Sequence, residues 1–126
     1  MDFHGSIKIP LCGGDIAFSL LGSFEGATYF RDIRKYTSYS REGNVVKVQY
    51  KTGWGTTSQE LNLGYRRITF RGKGPLGVTF GGSWTHLSDS IQLEQTVWGI
   101  PRFAHGLVQK RVNRALEDLL QVVNAP

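Results

Sequence analysis

The last stretch of the chain, Pro101 to Val123, constrains the fold most. Ala104, Val108, Val112, Ala115, Leu119 and Val122 recur at steps of four, four, three, four and three residues. That is the 3.6-residue period of a straight helix with one apolar stripe. Leu116 and Val123 widen the stripe, while Gln109, Lys110, Asn113, Arg114, Glu117 and Gln121 take the other side. A coiled-coil seam would drift toward 3.5 residues, so the stripe is expected to lie on a sheet. The small Ala104 and Ala115 let it lie close. Its beginning, around Phe103 to Arg111, is the least regular part and the expected mouth of any cavity beneath. Glu117 and Asp118 are expected on the outer or flanking surface of this helix.

What precedes the helix reads mainly as strands. Phe3, Gly5, Ile7 and Ile9 alternate with His4, Ser6 and Lys8, a half-buried strand ended by Pro10. Gly13-Gly14-Asp15 predicts a turn, with Asp15 capping a short helix to Leu21, and a second short helix is expected over Phe24 to Tyr29. Arg34 to Ser40 is polar and aromatic, and Glu42-Gly43-Asn44 is a hairpin turn. Val46, Val48 and Tyr50 then alternate with Lys47, Gln49 and Lys51. After the turn Thr52-Gly53-Trp54-Gly55 come Leu61, Leu63 and Tyr65, then Ile68 and Phe70 against Arg67, Thr69 and Arg71. Leu76, Val78, Phe80, Gly82, Trp84 and His86 share one phase of a long strand. Beyond Ser88-Asp89-Ser90, Ile91, Leu93, Gln95 and Val97 form the last strand. Consecutive strands with short turns pair antiparallel, and a sheet with one amphipathic helix makes a two-layer α+β domain spanning residues 1–126.

This order of elements resembles the START/Bet v1-like superfamily, also called the polyketide cyclase or SRPBCC superfamily. The residues that carry the likeness are Gly5-Ser6-Ile7-Lys8-Ile9-Pro10 before a short helix, Ile91-Gln92-Leu93-Glu94-Gln95-Thr96-Val97, and Pro101 to Leu120. The resemblance implies a helix-grip fold, a curved antiparallel sheet of about seven strands around the long C-terminal helix. It also implies a cavity between the two.

Composition bounds the function classes. The 126 residues hold a hydrophobic fraction of 40%, enough for a real core without cross-links. The single Cys12 cannot form an internal disulfide. No apolar run approaches the roughly 20 residues of a membrane span, and the first residues, with Asp2 and His4, are not expected to act as a signal peptide. Cytoplasm or an organelle lumen is the expected compartment. The net charge of +5 is of the size that keeps a small domain in solution.

The motifs with chemical content are few. Gly72, Gly74 and Gly77 spell G-x-G-x-x-G, but a dinucleotide site needs a helix N-terminus directly after it, and Pro75 and an alternating strand follow instead. Arg66 to Lys73 mixes cations and aromatics, yet Gly74 and Leu76 stand where an RNA-binding strand would carry aromatics. Arg67, Thr69 and Arg71 read as a solvated outer face. His4, His86 and His105 show no metal-ligand spacing, and neither a metal nor a cofactor is expected. His86 is the one candidate general base, in phase with Val78, Phe80 and Trp84. Arg111 borders the apolar stripe, as a snorkelling side chain or as an anchor for a carboxylate.

The first expectation is binding or transport of a small hydrophobic molecule, such as a lipid, polyketide or isoprenoid. Its expected lining is Tyr50, Leu63, Tyr65, Phe70, Val78, Phe80, Trp84, His86, Gln95, Val97, Leu107 and Arg111. The second is a polyketide cyclase or aromatase-like enzyme, which the resemblance permits. The third is a nucleic-acid or membrane-surface module using the basic outer face, with nucleic acid the less expected partner.

Overall fold

A computed structural model describes residues 2–8, 21, 30–87 and 90–123. Among these residues are seven strands: β1 (Asp2–Lys8), β2 (Lys35–Glu42), β3 (Val45–Thr52), β4 (Gly55–Gly64), β5 (Arg67–Lys73), β6 (Thr79–His86) and β7 (Ser90–Trp98). A 3-10 turn at Arg102–Ala104 leads into the long helix α1 (His105–Val123). The expected helices at 15–21 and 24–29 lie outside the described residues, apart from Leu21.

The strands form one antiparallel sheet in the order β1-β7-β6-β5-β4-β3-β2. From β2 to β7 each strand pairs with its sequence neighbour, and β1 closes onto β7. This is the expected helix-grip architecture. Alternation explains the faces. Phe3, Val46, Val48, Leu61, Ile68, Phe70, Trp84, Ile91, Leu93 and Val97 are buried on the side toward α1. Arg67, Thr69 and Arg71 are exposed on the opposite face, where Arg71 pairs with Glu60 at 3.5 Å. In β2 the register shifts between Tyr36 and Ser38. The bulge lets two tyrosines three residues apart, Tyr36 and Tyr39, both become partly buried.

The turns follow backbone chemistry with two exceptions. Gly43 at φ 60° makes the β2–β3 turn. Arg66 (φ 58°) and Leu76 (φ 60°) take the same left-handed conformation without being glycine. The G-x-G-x-x-G segment ends β5 and forms a three-residue 3-10 turn, Pro75–Gly77, before β6 begins at Thr79. Leu76 is 97% exposed, so the long strand starts three residues later than its alternation suggests.

The helix is seated asymmetrically. Its backbone approaches the sheet chiefly at β1. There Gly5 offers no side chain, and a Cβ would run into Leu116 Cδ1. The Phe3 and His105 rings meet edge to face at 4.7 Å, and Gln109 Nε2 donates to the His4 carbonyl at 3.3 Å. Val112, Leu116 and Leu119 are the buried apolar anchors. With α1 drawn to one edge of a curved sheet, space remains between it and β3, β4 and β5.

Candidate functional site

That space is a cavity of about 570 Å³. Its sheet wall is built from inward positions in register: Val46 opposite Leu61, Val48 opposite Gln59, and Tyr50 opposite Thr57. Phe70, Phe80, Trp84, Leu93 and Val97 continue the wall. The helix contributes Leu107, Val108, Arg111, Val112, Ala115 and Asp118. Arg111, Ala115 and Asp118 follow one another at helical spacing and make a second stripe beside the packing stripe. The rim is apolar and exposed, with Trp54, Leu76, Phe103 and Leu107 all lining the opening. The irregular start of the helix is therefore at the mouth, as expected.

Few polar groups face this space. The Tyr50 hydroxyl donates to Gln59 Oε1 at 3.2 Å, and the Tyr50 ring meets Tyr36 edge to face at 5.7 Å. Burial pushes the Tyr50 phenol well above its ordinary value near 10, with smaller effects from Tyr36 and Arg111. Tyr36 is raised too, first by burial and then by Tyr39. Tyr50 is thus a neutral hydrogen-bonding group at physiological pH and no base. Gln95 and Thr57 add neutral donors and acceptors.

Two charged side chains reach the cavity from α1. The Arg111 guanidinium lies over the Trp54 ring, 5.0 Å from its centroid. Burial pulls its pKa down, and Asp32 and Tyr50 partly restore it. Asp118 is only 4% exposed, so it does not sit on the outer surface that its place beside Glu117 suggested. It accepts from the Arg31 backbone N–H at 2.9 Å and from Arg31 Nε at 2.7 Å, while Arg31 Nη2 donates to Glu117 at 3.0 Å. The hydrogen bond with Glu117 and the charge of Asp118 hold the Arg31 pKa above its usual value. Arg114 pairs with Asp32 at 3.2 Å. These pairs tie the second half of α1 to the segment before β2, opposite its β1 anchor.

The expected lining is mostly brought together. Tyr50, Phe70, Val78, Phe80, Trp84, Gln95, Val97, Leu107 and Arg111 all face the cavity. Three expected residues do not. Tyr65 is 93% exposed in the β4–β5 turn, because β4 ends at Gly64 and the alternation stops there. Leu63 packs on the core cluster and is not part of the cavity wall. His86 is buried but lies at the end of β6, opposite Ile91, with its backbone N–H bonded to the Arg66 carbonyl at 2.8 Å. It does not border the cavity, so its role as a base acting there is not supported. Val46, Val48, Gln59 and Leu61 went unrecognised as lining, although they share the phase of Tyr50 and Leu63. Among the described residues no group of three His, Cys, Asp or Glu side chains could hold a metal ion. No described helix is long and apolar enough to cross a membrane.

No protein-family model matches the chain, and no curated protein matches it in sequence. Solved structures do match in fold. A Thermus thermophilus protein, TTHA0849, is 20% identical, with 99% of this chain and 98% of that one covered at a TM-score of 0.79. The Zhui aromatase/cyclase from a Streptomyces species is 14% identical, covering 98% and 92% at a TM-score of 0.74. The di-domain aromatase/cyclase BexL, of the BE-7585A biosynthetic pathway, is 12% identical, covering all of this chain and 50% of that one at a TM-score of 0.77. The fold is the helix grip of these aromatase/cyclase structures.

Proposed function

We propose that the protein binds a small, largely apolar molecule in the cavity between the sheet and α1. The observation that carries this reading is the cavity itself. Its 570 Å³ is of the size of small-molecule sites and corresponds to about 19 water volumes at ~30 Å³ each. Native interiors hold few voids larger than one water. At ~24 cal/mol per Å³ a dry void of this size would cost roughly 14 kcal/mol, as much as the whole stability of a domain. The space is therefore filled, by water or by a ligand, and an apolar wall holds a ligand better than it holds water.

The test is titration of delipidated protein with Nile red, a neutral apolar dye. Saturable binding of one dye per chain, competed by long-chain alcohols, is the expected outcome. Absence of saturable binding would remove the reading.

An aromatase/cyclase activity is the second reading, favoured by the fold shared with Zhui and BexL. Tyr50 would then be a hydrogen-bond donor to a developing oxyanion, since its raised pKa keeps it protonated beside the ligand. Turnover of a polyketide mimic that Tyr50→Phe abolishes, with Nile red binding retained, would favour the enzyme over the carrier. No turnover of any such mimic favours the carrier.

A further inference from the structure

Beside the apolar cavity lies a second, polar cleft of about 320 Å³, and the two share Asp32, Trp54, Leu107 and Arg111. Five of the chain's fifteen lysines and arginines converge on this cleft: Arg31, Arg34, Lys110, Arg111 and Arg114. They come from two stretches of sequence, the segment before β2 and α1, held against one another by the fold. Asp32 is the one carboxylate in the cleft wall among the described residues. It is taken by Arg114, and Arg31 is taken by Glu117 and Asp118. Among the described residues no carboxylate lies at ion-pairing distance from Arg34, Lys110 or Arg111. Five cations against three carboxylates leave two positive charges facing one small space.

We propose that this cleft binds a phosphate-class dianion. A phosphate monoester carries close to two negative charges at neutral pH, which matches the residual charge, whereas a carboxylate would offset half of it. The planar forks of Arg34 and Arg111 suit paired phosphate oxygens, and Lys110 adds a point charge. Arg34 is set in place by its backbone N–H bond to the Lys51 carbonyl at 2.8 Å, and its guanidinium lies on Gly53. Arg111 is set by Trp54. A cleft with an excess of one sign of charge also focuses its field on the opening, which speeds capture of an anion.

The position of the cleft names the source of the phosphate. It opens onto the cavity mouth, so the dianion is the headgroup of an amphiphile whose tail enters the apolar space. The cleft itself stands apart from the cavity reading; only the tail rests on it.

The experiment compares decyl phosphate, decanol and inorganic phosphate by titration calorimetry. It uses wild-type protein and the double variant Arg34→Ala/Lys110→Ala, whose changed residues are exposed and outside the apolar wall. Decyl phosphate is expected to bind at least about tenfold tighter than decanol at low salt, the ratio that charge-assisted contacts give. The gap should shrink in 0.5 M NaCl, about the screening expected of a cleft open to solvent. It should close in the variant, with decanol affinity unchanged. Equal binding of the two decyl compounds by wild type, or a gap that persists in the variant, overturns the proposal. If neither decyl compound binds, the cavity reading falls and inorganic phosphate decides the cleft. Heat of phosphate binding that the variant loses then keeps the cleft as a site for the free ion, and no heat overturns it as well.

Discussion

Ala115→Leu gives opposite signs for a cavity and for a packed core. Ala115 is half-buried on α1 between Arg111 and Asp118, and it borders the cavity. Leucine adds three carbons there. At ~0.8 kcal/mol per buried methylene they would contribute about 2.4 kcal/mol. Ordering the new side chain costs ~0.5–1 kcal/mol, and the loss of alanine's helix propensity about 0.2 kcal/mol. The expected net is a stabilisation of about 1.2–1.7 kcal/mol in ligand-free protein, read as a higher urea midpoint with unchanged slope and a melting temperature up by ~5 °C. Nile red affinity should fall at the same time, because the added carbons occupy the ligand's space. Were the position tightly packed instead, the same change would cost ~1–3 kcal/mol by overpacking. A destabilised variant with full dye binding would refute the placement of the cavity beside Ala115.

Other outcomes follow from the same geometry. Gly82→Ala should destabilise by more than ~2 kcal/mol, because the new Cβ would meet the Glu94 carbonyl and, at 2.9 Å, Gln95 Cα, both backbone of β7. Gly5→Ala should cost about 1 kcal/mol, since only the end of the flexible Leu116 side chain stands in the way; urea unfolding of the pair checks the order. Tyr50 binds its proton more tightly folded than unfolded, so its contribution to stability is complete below the unfolded value near 10 and declines as pH rises through and above it. The loss of stability between pH 9 and pH 11 should therefore be smaller in Tyr50→Phe than in wild type; an equal loss would mean that the phenol is not buried. His86→Ala should lower stability yet leave dye affinity per folded molecule unchanged, and a large loss of affinity at full folding would place His86 at the site after all.

Much of the fold is legible because the sheet is built on strict alternation and the helix on a clean 3.6-residue period. Where one face is buried, a strand's register is fixed by which residues must point inward, as with Val46, Val48 and Tyr50. The misplaced residues are those where a local pattern runs on past the element that made it. Leu61, Leu63 and Tyr65 alternate, but the chain turns at Tyr65–Arg66 through a left-handed arginine that carries no glycine or asparagine signal. Leu76 is in phase with β6 and yet stands in the preceding turn. Asp118 shows a different limit. Next to Glu117 it reads as one more solvated charge, and only its pairing with Arg31, 87 positions away, accounts for its burial. Half of the cationic cleft is legible, since Lys110, Arg111 and Arg114 lie close together early in the helix, but Arg31 and Arg34 join them only where the segment before β2 folds against α1.

The central claim is that the space between sheet and helix holds an apolar molecule. Native mass spectrometry of freshly purified protein tests it most directly, before any delipidation. A discrete small-molecule adduct that disappears on denaturation, and that is depleted in Ala115→Leu, is the predicted result. A spectrum of bare chain, from protein that also fails to take up Nile red, would contradict it.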